Sequence, residues 1–340
     1  MPQKIQCLIF PDILPWEWAA VEPILNCLGA KYHIDKKELS ESDRAYFRHQ
    51  PASANSDIYW VFSKRWTEAA RFLALSRAPG KVYFSLFSNA HLPAASFLKL
   101  FWRKLKPQVS SKVHLVAHSP LNNRFFREII SIPDQSISLL PLCAPKLEGT
   151  EEKMGVSPPV VGTFAPFFSE SNLNYFLSVA HYVNQKNPSV RFRIMGSGPL
   201  YGHMVQTVRE LSMEASVEVV ETVDLSLVRD LDIFLYVPLR NEHFIPLCAA
   251  AACQLPTLTN DALGIEEYVQ DGRNGFIVPV NEIKPMGELV IRLIENPGLR
   301  LGLGLEISKT VCEKFDGQTL AGYYEKLFSL AATDLSSEAA

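Results

Sequence analysis

At 340 residues the chain has room for two domains of ordinary size, and an apolar content of 47% excludes a disordered or fibrous protein. No apolar run approaches the ~20 residues a bilayer crossing needs, and the opening MPQKIQCLIF runs straight into a strand-like segment, which argues against a secretory signal. The net charge of −3 hides an asymmetry: residues 1–150 hold 19 Lys and Arg against 12 Asp and Glu, the remainder 14 against 24, so an anionic partner suits only the first half. In chain order, IQCLIF (5–10) reads as a buried strand and residues 17–29 as a helix. DIYWVF (57–62) and KVYFSLF (81–87) are strands around the helix WTEAARFLALSR. VHLVAHS (113–119) is a strand leading into the helix NNRFFREII, and SISLLPL (136–142) closes the half. Strands alternating with helices predict a parallel sheet covered on both faces.

The stretch 143–159 is charged, carries three prolines and shows no period, so it reads as a linker. The alternation then resumes. VVGTFA, VRFRIMGSG, VEVVE, DIFLYVP, LPTLTN and GFIVPV are strands. NLNYFLSVAHYVNQ, LYGHMVQTVRELS and LCAAAA are helices, GIEEYVQ lies between the last two strands, and three helices follow to a frayed tail, TDLSSEAA. The expectation is an α/β protein with two tandem doubly wound domains and ligands at the carboxyl ends of the strands. The six cysteines have no CxxC spacing and sit mostly in apolar runs, the pattern of reduced thiols in a cytoplasmic protein.

Several residues stand where chemistry would be expected. Gly196, Ser197 and Gly198 end a strand before a helix and would let a backbone approach a ligand; a tight strand-to-helix turn asks for the same residues. Gly162 is equally open to both readings. Glu242 follows DIFLYVP and precedes an Ala-rich helix. A carboxylate there accepts hydrogen bonds from sugar hydroxyls, while the helix start offers free N–H groups to a phosphate; a surface Glu stabilised by the helix dipole is the alternative. Glu266 and Glu267 are adjacent, so on a helix they diverge by about 100° and cannot form an acid/base pair. DGRNG (271–275) is a turn. Neither a P-loop, a serine elbow, a GxGxxG fingerprint nor a metal-ligand cluster is present in the sequence.

The order of VVGTF, FRIMGSGPLYGHM, DLDIFLYVPLRNEHF, AAAACQLPTLTNDALGIEEYVQDGRNGFIVP and LIENPGLR resembles the C-terminal half of glycosyltransferase family four. VHLVAHSPLNNRFF and ISLLPLCAP resemble the end of that family's acceptor domain. The resemblance is strong over 190–300 and faint before 110. It implies a GT-B fold: two Rossmann-like domains, with parallel sheets facing a central cleft. These would be an acceptor domain over 1–150, with a helix at about 317–332 packing back on it, and a donor domain over 157–316. It further implies a metal-independent, cofactor-free retaining transfer from a nucleotide-sugar to a glycan or lipid-linked acceptor. Glu242 would match the first Glu of the family's Glu-x7-Glu motif. Gly162, Thr163, Gly196, Ser197, Gly198, His243, Phe244, Ile245, Asn260, Leu263, Gly264 and Glu266 would line the donor site. His91, in FSNAHLP, would face the acceptor and is the second catalytic candidate; a structural role fits it equally.

Departures from the pattern define an alternative. The motif's second Glu falls on Ala250, the glycines after the first are replaced by HFI, and the Arg and Lys that neutralise the donor diphosphate are missing from GTFAPFFSES. Loss of one such contact typically costs about 3 kcal/mol of transition-state stabilisation. Arg240, Arg193 or Arg273 would have to substitute. Otherwise the donor carries a different leaving group, or the protein is a catalytically degenerate relative that binds a partner enzyme or a glycan; Phe164, Phe167 and Phe168 around the vacated phosphate site fit either an unusual donor or a plug. Finally, residues 95–108, ASFLKLFWRKLKPQ, set Phe97, Phe101 and Leu105 opposite Lys99, Arg103 and Lys106. Such a helix either lies on an anionic membrane surface, a peripheral contact at the inner face, or packs its apolar face into a domain core. Nucleic acid is not an expected partner.

Overall fold

The computed structural model describes residues 3–9, 13, 15–38, 56–63, 81–86, 113–145, 147, 159–239 and 244–337. The chain forms two compact units, one comprising Met1–Cys143 with Asp316–Ala340, the other Ala144–Phe315. No helix among the described residues is long and apolar enough to cross a membrane. His91 and the segment 95–108 lie outside the described residues, as do Arg240, Glu242 and His243.

In the first unit six parallel strands run in the order β2-β1-β3-β4-β5-β6. They are β1 (Lys4–Ile9), β2 (His33–Glu38), β3 (Ile58–Ser63), β4 (Lys81–Leu86), β5 (Val113–Ala117) and β6 (Ile137–Leu139). The central strands are near-continuous apolar runs because a parallel sheet is covered on both faces; Ile58 through Phe62 are all buried. β2 is absent from the sequence reading for a physical reason. It is an edge strand, HIDKKE, whose charges discourage further pairing and erase the apolar signal. The helix expected over 17–29 is two short ones, α1 (Pro15–Ala19) and α2 (Glu22–Leu28), the second starting with Pro23 in its first turn, where a missing N–H costs nothing. After β5, Ser119 caps α3 (Pro120–Arg124) by accepting from the Asn122 N–H at 3.2 Å, and the helix widens into a π turn, Phe125–Ile129.

The last helix of the chain, numbered α9 below (Gly317–Ser337), belongs to this unit and runs further than the expected tail allowed. Its Leu320, Ala321, Tyr324 and Phe328 are buried. Tyr324 and Phe328 lie 4.6 and 5.5 Å from Trp60, and Phe328 meets Tyr83 edge-on at 4.8 Å.

The second unit has six parallel strands in the order β12-β11-β10-β7-β8-β9. They are β7 (Val160–Phe164), β8 (Arg191–Gly196), β9 (Val217–Glu221), β10 (Ile233–Tyr236), β11 (Thr257–Asn260) and β12 (Gly275–Val278). The chain winds outward from β7 through β8 and β9, then returns to β10 and winds the other way. β7 and β10 are therefore neighbours across a topological switch point, with Val161 opposite Ile233 and Gly162 opposite Phe234. In open α/β sheets a ligand crevice forms outside the carboxyl ends at such a point. Helices α4 (Leu173–Lys186), α5 (Tyr201–Glu210), α6 (Ile245–Ala252), α7 (Ile283–Glu295) and α8 (Pro297–Lys314) cover the sheet. A largely aliphatic core includes Val161, Ile194, Ile233, Leu235 and Leu258 with Val179, Val183 and Val290.

Candidate functional site

The β7 side of the switch point is built by glycines. Beyond the strands the ladder continues into the loops: the Ala165 N–H bonds Met195 O at 2.9 Å and the Phe167 N–H bonds Ser197 O at 2.8 Å. Gly196 and Gly198 hold φ of +151° and +145°, and a Cβ on them would lie 1.9 Å from Ala165 O and 2.9 Å from Phe167 O. These glycines thus seat loop 165–168 on loop 196–198, so the close approach they permit is between two protein backbones. The side chain at Gly162 is precluded by Leu231 and by Arg193 O, 2.4 and 2.8 Å from where its Cβ would be, and Thr163 is buried. Phe167 is fully buried, stacks on Tyr201 at 6.0 Å and belongs to the core under the loop; Phe164 is buried within its strand.

On the other side, β10 leads through Val237, Pro238 and Leu239 toward α6. Phe244 takes the N-cap position of α6, so no described side chain caps the helix, and Pro246 follows in the first turn. Phe244 and Ile245 are each 2% exposed, so a donor contact from them would be through the backbone. Ala250 lies in α6 with no exposed surface. Asn260, at the end of β11 and buried, donates from Nδ2 to Pro238 O at 2.8 Å and so ties the ends of β10 and β11 together; its Oδ1 is buried without a partner. Asp261 accepts from the Val280 N–H at 2.8 Å and brings in the end of β12. Leu263 is 46% exposed and Gly264 takes φ +84° to start a 3-10 turn, Ile265–Glu267.

Both carboxylates of that turn are exposed. Glu267 meets Lys314 Nζ at 3.3 Å, whereas Glu266 makes no hydrogen bond or ion pair with another described residue. The DGRNG turn follows: Asn274, buried, accepts from the Gln270 N–H at 2.7 Å and donates to Tyr268 O at 3.1 Å, and Asp271 accepts from the Ile277 N–H at 2.9 Å. Of the cations named as substitutes, Arg193 is taken by Glu218 at 2.7 Å and Asp230 at 3.7 Å, and Arg273 reaches Gln270 at 2.9 Å.

The structure thus brings Asn260, Leu263, Gly264 and Glu266 together on one turn, and Gly196, Ser197 and Gly198 on another. Glu242, His243 and His91 lie outside the described residues. Asn274 and Tyr268 were missed. Asp261 had a signal, an acid directly after a strand-end Asn, but its partner nineteen residues on is not readable from spacing.

Solved structures share this architecture along nearly the whole chain. Anabaena Alr3699/HepE in complex with UDP-glucose superposes with a TM-score of 0.71, covering 98% of this chain and 99% of its own at 14% identity. The fold is GT-B. Residues 151–307 match the family model for glycosyl transferases group 1, somewhat under half of the chain. In sequence the chain is 20% identical over 173 residues to the poly(ribitol-phosphate) alpha-N-acetylglucosaminyltransferase of Staphylococcus aureus strain COL, which covers 50% of this chain and 35% of that protein. It is 24% identical over 137 residues to the N-acetyl-alpha-D-glucosaminyl L-malate synthase of Bacillus anthracis, covering 40% of this chain and 36% of that one. The chain therefore spans about a third of the length of these two relatives. Over residues 151–307 its second unit is similar to the group 1 glycosyltransferases, and its fold is theirs.

Proposed function

We propose that this protein transfers a sugar from a nucleotide-sugar, a UDP-sugar first among the donors to try, to a glycan or lipid-linked acceptor, with retention and without a metal or other cofactor. The observation that carries this reading is the carboxyl edge beside the switch point: α6 starts there with no side-chain cap from any described residue, and Glu266 stands there exposed and unpaired among the described residues. A helix start favours a phosphate, and a solvent-facing carboxylate accepts from sugar hydroxyls. In the transfer, the bond from the anomeric carbon to the phosphate oxygen breaks and the acceptor oxygen bonds to that carbon. The acceptor's proton leaves with the nucleoside diphosphate. Glu242 would hold the donor sugar and His91 would serve the acceptor, roles that rest on the sequence. Arg240, which lies outside the described residues, would answer the charge gathering on the leaving group. The acceptor is proposed to be met in the cytoplasm at the inner membrane face, through the basic and aromatic segment 95–108.

UDP-glucose is the first donor because it occupies the solved Anabaena protein, and UDP-N-acetylglucosamine the second because both relatives carry that sugar in their names. Release of UDP from each, with and without EDTA, tests the reaction, and the anomeric configuration of the product tests retention. Glu242→Gln is expected to lose about 100-fold in rate. A degenerate, binding-only protein is the second reading, favoured by Ala250 in place of a carboxylate; it predicts no release with any donor.

A further inference from the structure

Three rings distant in sequence form one stack in the second unit. Phe244 lies on Tyr268 with centroids 4.1 Å apart and planes 28° from parallel, and Tyr268 lies on Phe315 at 4.4 Å and 9°. All three are buried, at 2, 4 and 1% exposure. Each ring is fixed to a different piece of chain. Phe244 is the N-cap residue of α6 and stands two residues after Glu242. Tyr268 closes the 3-10 turn and stands two residues after Glu266. Phe315 ends α8, and its carbonyl accepts from the Ala144 N–H at 2.9 Å. Ala144 and Phe315 are the first and last residues of the second unit, so the far end of the stack is tied to both points where the chain enters and leaves it.

The middle ring is held from other directions as well. Asn274 donates to the Tyr268 carbonyl at 3.1 Å, and Lys314 reaches the carbonyl and the carboxylate of Glu267 at 3.3 Å each. Burial pushes the Tyr268 phenol far above its ordinary range, so the stack adds no charge beside the carboxylates. Stacked rings resist sliding more than aliphatic packing does, because offset geometry is part of their attraction. Displacing Tyr268 would therefore move the turn bearing Glu266 relative to the start of α6.

We propose that Tyr268 is a positioning residue of the donor site: its ring, clamped between Phe244 and Phe315, registers the turn of Glu266 against the entry to α6. The proposal rests on the reading of the second unit as a nucleotide-sugar site, and the test separates the two. UDP and UDP-glucose binding is measured by calorimetry, together with melting temperature, for the wild type, Tyr268→Phe, Tyr268→Leu and Phe315→Leu. Tyr268→Phe keeps the ring and is expected to bind within about twofold of the wild type. Tyr268→Leu and Phe315→Leu are expected to bind about tenfold more weakly, the equivalent of one lost ring contact. A merely structural role would lower the melting temperature and leave the affinity of the folded protein unchanged. Should Tyr268→Leu fail to fold, Phe315→Leu, which leaves Tyr268 in place, gives the same decision. Wild-type binding matched by both leucine variants overturns the role of the stack alone. A wild type that binds neither UDP nor UDP-glucose overturns the UDP-sugar reading of the site, and the role of the stack with it.

Discussion

In the first unit the rings gather in the core, and they come from both ends of the chain: Trp60 and Tyr83 from the sheet, Tyr324 and Phe328 from the C-terminal helix. In the second unit the core beneath β7 and β8 is mainly aliphatic, and the closest stacked rings join its loops at the entry to α6 and the end of α8. Both sheets have six parallel strands, so the difference lies in what closes each one. The first is completed by a helix contributed after the chain has built the second, which makes its stability depend on α9. The second is complete in one continuous stretch and keeps its closest stacked rings at the entry to α6 and the end of α8.

The sharpest way to break this comparison is Phe328→Ala, which removes a buried ring from the first core. It should cost about 3–5 kcal/mol and lower the melting transition of the first unit while leaving that of the second in place. Equal loss in both transitions would show that the second unit is not self-contained.

Acid should separate the units next. Burial, then the ammonium of Lys81, holds His114 of the first unit at about 4, below its ordinary 6.5, with Nε2 2.9 Å from Ser138 Oγ. His114 is thus neutral when folded, and the unfolded chain binds the extra proton. Stability is intact above 6.5 and falls as the pH drops from there through about 4, by up to about 3 kcal/mol. Chemical denaturation of the wild type and His114→Asn at pH 7 and 4.5 checks this, the variant showing the smaller loss.

Gly196→Ala places a Cβ against Ala165 O in a backbone conformation that L residues rarely adopt. A cost of about 3 kcal/mol, confined to the second unit, is expected from the two effects together. Nucleotide binding should fall with it, because the loops on the β7 side of the switch point must part. Asn260→Ala should cost less, about 1 kcal/mol, since it removes one hydrogen bond while also removing an unpaired buried oxygen. Smallest is Lys314→Met, whose exposed partner Glu267 limits the loss to under about 1 kcal/mol.

Much of the architecture was legible because a two-sided parallel sheet demands apolar strands, and those strands appear in the sequence as short dense runs between helical periods. The polar edge strand β2 was not legible, since its described side chains are exposed or half-buried and leave no apolar run. Strand order was not legible either: pairing of β7 with β10 is decided by winding, not by any residue in either strand. At the candidate site, sequence marked the strand ends but not directions. Gly196 and Gly198 were readable as close-approach positions, yet that they approach loop 165–168 depends on a neighbouring strand. Phe244 and Ile245 sit in the expected place with their side chains in the core. Phe244, Tyr268 and Phe315 are too widely separated for any local pattern to join them.

The central claim, a nucleotide-sugar site at the carboxyl edge of the second sheet, is tested most directly by thermal stabilisation. The wild type and Glu242→Ala would be melted with a panel of nucleotides and nucleotide-sugars. A ligand present at 100 times its Kd should add about 2.7 kcal/mol, and the shift should be selective for one nucleotide-sugar and lost in the variant. A wild type whose melting is moved by no nucleotide at any concentration would contradict the claim and leave a GT-B fold without its donor.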